Sequence, residues 1–266
     1  MEDRIERAVK RTIAIMQENL SEQLSVDDLA REAFFSKFHF TRVFQRTTGV
    51  SPGRFLAALR LQEAKHLLVS TSLSIADICM RVGYSSVGTF SSRFTRSIGM
   101  PPSDYRRLAG YAPHIATEAA KRSGQPFTAR AYGHVWSPEQ LLGPIFIGLF
   151  PERIPEGRPV RCAVLPSPGP YRFDAVPPGS WYLLAQSLID EPADLVDPTK
   201  RAVAVAAHGP VTIRQGDVIR ADVALKPARE LDPPVLLALL DARQAALASA
   251  TDTVTPLPAH VGRPAA

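Results

Sequence analysis

Lys37, Phe38, Thr41, Arg42, Gln45 and Arg46 follow one another at short intervals within "SKFHFTRVFQRTTGVSPGRF", residues 36–55. On a helix from 37 to 48 they fall on a different face from Phe40, Val43 and Phe44, which sit at i, i+3 and i+4. Their chemistry is that of recognition. Arginine offers a planar fork of donors, glutamine both donates and accepts, and lysine is a mobile point charge. No nucleophile stands beside a base. The same stretch holds four phenylalanines and, with His39, five basic side chains. They cannot all be interior or all surface.

A repeat sorts them. "SIADICMRVGYSSVGTFSSRFTRSIGMPPSDY", residues 74–105, echoes "SVDDLAREAFFSKFHFTRVFQRTTGVSPGRF", residues 25–55. Leu29 matches Ile78, Ala33 matches Val82 and Phe35 matches Tyr84. After one added residue, Phe40 matches Phe90, Phe44 matches Phe94, Gly49 matches Gly99, Pro52 matches Pro102 and Phe55 matches Tyr105. Rings that recur belong inside. Phe38 is matched by Gly88, and a core site would not exchange phenylalanine for glycine without a large cavity. Phe38 is therefore expected at the surface among Lys37, Thr41, Arg42 and Gln45.

A DNA major groove suits such a face. It admits an α-helix and shows a different donor and acceptor pattern for each base pair. Arg42 suits guanine, Gln45 adenine, and Phe38 with the Thr41 methyl suits thymine methyls. Lys37 and Arg46 suit phosphates, which give affinity and salt dependence rather than sequence choice. The second copy presents Ser86, Val87, Ser91 and Ser92, with Arg96 for the backbone, and Arg93 stands where the first copy has Val43. Its small side chains point to weaker or shape-based readout.

The elements that carry these residues are legible from period and caps. Residues 3–20 form an amphipathic helix through Ile5, Val9, Ile13, Met16 and Leu20. Ser25 caps the next, Ser36 caps the helix ended by Gly49, and Pro52 starts a long one reaching residue 69. Residues 110–133 are expected to be a linker. Residues 134–249 alternate short β-prone runs ("GPIFIGLF", "RCAVLP", "YRFDAV", "WYLLAQSL", "RAVAVAA", "VTIRQGDVIRADVALK") with Pro/Gly turns, which predicts a small antiparallel sandwich. A helix is expected in 235–249 and disorder in 250–266.

The chain has 266 residues, 45% hydrophobic and 21% charged, with net charge +5. Residues 1–110 carry 16 Lys and Arg against 11 Asp and Glu, and residues 136–266 carry 12 against 14. The polyanion-binding half is thus the first. The six histidines are scattered, and no H-E-x-x-H, G-x-S-x-G, phosphate loop or dinucleotide glycine motif occurs. Cys79 and Cys162 lack metal-ligand or redox spacing, and no apolar run is long enough to span a membrane. The expectation is a cytoplasmic protein, not an enzyme, with no cofactor, no catalytic residue and no metal.

Residues 5–108 resemble the AraC/XylS family of bacterial transcription regulators. The resemblance rests on "LAREAFFSKFHFTRVFQRTTGVSPGRFLAALRLQEAKHLL" and, more specifically, on "SIADICMRVGYSSVGTFSSRFTRSIGMPPSDYRR" with Ile75, Ala76, Asp77, Ile78, Gly83, Tyr84, Phe90, Phe94, Gly99, Pro102 and Tyr105. It implies an all-α, homeodomain-like double helix-turn-helix over 1–109, both recognition helices entering successive major-groove segments of double-stranded DNA. Family members are usually activators, less often repressors. They usually carry this domain behind a sensor; here it comes first.

"GRPVRCAVLPSPGPYRFDAVPPGSWYLLA" resembles a transthyretin-like or carboxypeptidase-regulatory-like β-sandwich through Gly157, Tyr171, Phe173, Val176, Pro177, Pro178, Gly179 and Tyr182. Tyr171 and Phe173 read as core of a strand–turn–strand hairpin, and Trp181 with Tyr182 as a candidate pocket wall. The fold class is multidomain, α then β. Two roles stay open for the β part: sensing a small-molecule effector or self-association, or contacting another protein such as RNA polymerase with no ligand. Monomer and homodimer both remain open.

Overall fold

Among the described residues, serine hydroxyls start four of the seven helices in the same way in both copies of the repeat. In the computed structural model, which describes residues 2–110, 127–138, 141, 145–188 and 203–237, α1 is Glu2–Glu18, α2 Val26–Glu32, α3 Lys37–Thr48, α4 Pro52–Ser70, α5 Ile75–Arg81, α6 Val87–Ile98 and α7 Pro102–Arg107. Ser25 and Ser74 close reciprocal capping boxes on α2 and α5. Their hydroxyls donate to Asp28 and Asp77 at 2.6 Å and accept from the N–H groups of those same residues. The Ser25 bonds hold the Asp28 carboxyl below its ordinary pKa. Gly49 and Gly99 end α3 and α6 in the left-handed conformation.

The interior is duplicated too. Phe40, Phe44 and Phe55 pack in a row with ring centroids 5.5 Å apart at each step. Phe90, Phe94 and Tyr105 repeat the row at 5.7 and 5.5 Å. All six are buried. The last step in each row is edge-to-face, the arrangement that the ring quadrupoles favour. α4 joins the two units and is apolar around most of its girth because it is buried on several sides. Arg60 on α4 and Arg106 on α7 each donate to two backbone carbonyls of the chain leading into the unit that the helix follows: Leu20 and Glu22 for Arg60, Leu68 and Leu73 for Arg106.

Among the described residues the β domain has nine strands: β1 Ala129–Trp136, β2 Ile145–Phe150, β3 Arg161–Leu165, β4 Gly169–Val176, β5 Gly179–Leu188, β6 Val203–Ile213, β7 Val218–Arg220, β8 Val223–Ala224 and β9 Lys226–Pro227. One sheet runs β3-β2-β5-β6-β9 and is antiparallel throughout. In the other, β1 pairs antiparallel with β4 but parallel with β7 and β8. The antiparallel expectation therefore holds for the larger sheet, and the smaller is mixed. Tyr171, Phe173, Ile147, Leu149, Leu183 and Ala185 from the two sheets share one core, so the layers form a sandwich.

Three expectations are corrected or moved. β4 and β5 are not a hairpin. Pro177 and Pro178 have no N–H to give to a ladder, and the turn carries the chain from one sheet to the other, so Tyr171 and Trp181 lie in different layers. β1 begins at Ala129, inside the stretch expected as linker. Val235, Leu236 and Leu237 are not helical; the rest of the helix expected in 235–249, and the tail 250–266, lie outside the described residues.

The two domains share a core. Ile154, Leu231 and Leu236 from the β part pack into the helical cluster. Lys65 on α4 donates from Nζ to the Val235 carbonyl at 3.1 Å, and burial lowers its pKa to about 8. Between about pH 8 and about pH 10.4 the unfolded chain keeps a proton that the folded chain has released. This group alone therefore makes stability rise with pH in that window, by at most about 1.4 kcal/mol per pH unit. Urea midpoints at pH 8 and 10 should show a larger rise for the native chain than for Lys65→Met. Equal rises would contradict the assignment.

Candidate nucleic-acid interface

α3 turns its aromatic stripe inward and its polar residues outward. Phe40, Val43, Phe44 and Thr48 are buried, while Lys37, Phe38, Arg42, Gln45 and Arg46 are exposed and Thr41 is half-buried. Phe38 is 89% exposed, as its unmatched place in the repeat requires. Thr41 donates its hydroxyl to the Lys37 carbonyl at 2.9 Å, so the hydrogen-bonding part of the side chain is already used by the helix. The Lys37 ammonium lies 2.7 Å from Asp27 Oδ2. Both ends of that pair are half exposed, so the lysine remains exchangeable towards another anion at small cost. His39 sets its ring edgewise on Phe35 at 4.8 Å, a packing role.

α6 repeats the arrangement with smaller side chains. Phe90, Phe94, Ser97 and Ile98 are buried. Val87, Ser92 and Arg96 are exposed, and Ser91 is half-buried. Val87 is thus not a core residue. Ser86 is the N-cap of α6, and its hydroxyl accepts from the Thr89 N–H at 3.4 Å. Capping competes with any outward role for that hydroxyl. Among the described residues no ion pair engages Arg42, Arg46 or Arg96.

Two features escaped the sequence reading. Phe34 is 84% exposed, with the Arg11 guanidinium 5.3 Å from its ring centroid. It lies at φ 57°, in the turn before α3. The signal was available, because Phe34 aligns with Gly83. The second feature explains Arg93. Its counterpart Val43 is core, but Arg93 sits 3.8 Å from Glu156 of the β domain. Glu156 also accepts from Arg54 at 2.7 Å and from the Ser97 hydroxyl at 2.9 Å. Burial works against the Arg54 charge, and the Glu156 and Glu152 carboxylates outweigh it, so its pKa is raised. No local pattern announces a partner 102 positions away.

The described residues hold no cluster of three or more His, Cys, Asp or Glu able to bind a metal ion. Burial pushes the Cys79 and Cys162 thiols up, away from reactive thiolates. No described helix is long and apolar enough to cross a membrane.

Comparison with known proteins places this geometry. A family model described as a helix-turn-helix domain matches residues 29–108. An uncharacterized HTH-type transcriptional regulator, YbfP of Bacillus subtilis, is 37% identical over 101 residues, 38% of this chain and 34% of that protein. The HTH-type transcriptional activator AarP of Providencia stuartii is 35% identical over 88 residues, 33% of this chain and 65% of that protein. A transcriptional regulator structure from Chromobacterium violaceum, described as having an AraC-type DNA-binding domain, is 31% identical, with 39% of this chain and 93% of that one covered and a TM-score of 0.38. The chain thus spans about a third of the length of the first of these relatives and just under two thirds of the second. Residues 29–108 are a helix-turn-helix domain similar to those of bacterial HTH-type transcriptional regulators.

Proposed function

We propose that the chain is a sequence-specific transcription regulator in which α3 and α6 enter successive major-groove segments of double-stranded DNA. The observation that carries this reading is the pair of matched helices. Each buries its aromatic stripe and leaves a polar, cationic face open with the β domain in place. Phe38, Arg42 and Gln45 read bases from the first, with Thr41 giving its methyl. Lys37 and Arg46 hold phosphates. Val87 and Ser92 touch bases from the second, with Ser86 and Ser91 at its edge and Arg96 on the backbone. Activation is the expected outcome, in keeping with the name of the AarP relative.

Selection of bound sites from random duplex DNA tests this. The expected product has two short blocks with centres about 10 base pairs apart, one helical turn. The α3 block should be the more sharply specified, because long forks discriminate better than serines. No enrichment, or enrichment of one block alone, would overturn the two-helix reading.

For the β domain we propose effector sensing coupled to the helices. The ionic contact of Glu156 with Arg54 and Arg93 supports coupling, since a mere tether needs no charged contact with the recognition helix. The transthyretin-like likeness remains a proposal about its ancestry. A partner protein such as RNA polymerase is the competing use.

A further inference from the structure

The segment from Pro151 to Arg158 connects β2 to β3 and lies against the helices. Ile154 plugs the helical core, and the Gly157 N–H donates to the Ser97 carbonyl of α6 at 2.8 Å. Beside this seam is a cleft of about 650 Å³, within the size range of small-molecule sites. Four arginines line it: Arg54, Arg93, Arg96 and Arg158. Two glutamates, Glu152 and Glu156, line it as well. The wall therefore carries two more positive than negative charges.

The surplus has an address. Arg54 is paired with both glutamates at 2.7 and 2.8 Å, and Arg93 faces Glu156. Arg96 and Arg158 have no ionic partner among the described residues. One belongs to α6, the other to the β domain. Guanidinium groups bind carboxylate and phosphate through paired, planar hydrogen bonds and are weakly hydrated. Two arginines without an ionic partner, lining one cleft from two domains, therefore suit a single dianion. Gly99 also lines the cleft, and an added Cβ there would meet nothing within 4 Å.

We propose that this cleft is the effector site, and that it takes a small dianionic oxyanion compound, a dicarboxylate or a phosphate ester, between Arg96 and Arg158. The inference rests on the regulator reading for its consequence but not for the site itself. A ligand held by both domains favours the docked arrangement, because it binds that state better than any opened one. It also occupies Arg96, the backbone contact assigned to α6. DNA binding and effector binding then oppose each other, and by linkage each weakens the other equally.

The test uses the full chain, since Ile154 and Leu236 would be bared in isolated pieces. Calorimetric titrations with disodium glycerol 2-phosphate and, separately, with sodium succinate are run at fixed ionic strength. At least one should give saturable binding, and which one does separates phosphate from carboxylate sources. Arg158→Gln should weaken that binding about tenfold or more, the usual weight of a charge-assisted bond. Glu152→Gln should tighten it several-fold, because it raises the positive surplus; a merely structural role would not produce opposite signs. No saturable binding of either probe, or equal binding by Arg158→Gln, overturns the proposal. If Arg158→Gln instead weakens binding to a selected duplex in the absence of either anion, the guanidinium belongs to the DNA backbone and the effector site is wrong. If one anion binds and the charge variants behave as expected while no duplex is bound, the site stands and the regulator reading falls.

Discussion

Gly83→Ala is expected to destabilise the helical domain by about 2 to 5 kcal/mol, from left-handed strain and steric overlap together. Gly83 lies at φ 81° in the turn between α5 and α6. A Cβ there would stand 2.2 Å from the Leu20 carbonyl and 2.8 Å from the Arg60 guanidinium that the same carbonyl accepts from. Arg60 is flexible, but the Leu20 carbonyl is backbone and cannot swing away. Folded domains are stable by only about 5 to 15 kcal/mol, so the loss is a large share of the whole. Urea denaturation of the full chain reads it directly, and a loss below about 1 kcal/mol would mean that the turn tolerates a side chain.

The first copy supplies the control. Phe34 holds the same place at φ 57°. Its N–H donates to Arg31 and that of Phe35 to Ala30, just as Gly83 donates to Met80 and Tyr84 to Cys79. Phe34→Gly removes strain of about 1 to 2 kcal/mol. Against that stand about 0.4 to 1 kcal/mol of added unfolded-state freedom and about 0.5 to 1 kcal/mol of Arg11–ring attraction. The ring is mostly exposed and buries little. Deleting a whole benzyl side chain should thus leave stability within about 1 kcal/mol of the native chain, while adding one methyl at Gly83 does not.

The second large effect falls on sequence choice. Arg42→Ala should relax specificity at one or two base pairs in the α3 half of the site by about 1 to 3 kcal/mol, the weight of a bidentate contact to guanine. Lys37→Ala should weaken binding to all sequences alike and lower the salt slope by about one unit or less. The smaller end is favoured because the lysine is already shared with Asp27. Site selection and salt titration of the two variants separate the effects. If Arg42→Ala returned the native site unchanged, direct readout by α3 would be wrong.

Much of the helical half was legible because its signals are short-range. Ser25, Ser36, Ser74, Gly49 and Gly99 announce helix ends within four residues, and the repeat places Phe40, Phe44, Phe90 and Phe94 inside without reference to any distant partner. Phe38 came out the same way, by having no ring opposite it. The misses are long-range or ambiguous. Pro177-Pro178-Gly179 marks a reversal of the chain, but a reversal does not say whether the next strand joins the same sheet. Arg93 looks like a surface charge until Glu156 arrives from another domain. The short pieces at 218–227 carry too little pattern to reveal that β1 runs parallel to β7 and β8. In the interface itself, residue type suggested which side chains face outward. It did not show that the Ser86 hydroxyl is committed to its own helix end.

Ile154, Leu231 and Leu236 lie in the helical core although they come from the β half. A cut after Gly110 would leave three aliphatic gaps in the piece that holds both recognition helices, and would bare the matching side chains on the other piece. The chain is thus two folds that share part of one core rather than two modules on a string. Transplanting the helical half onto another sensor would require those three vacancies to be refilled.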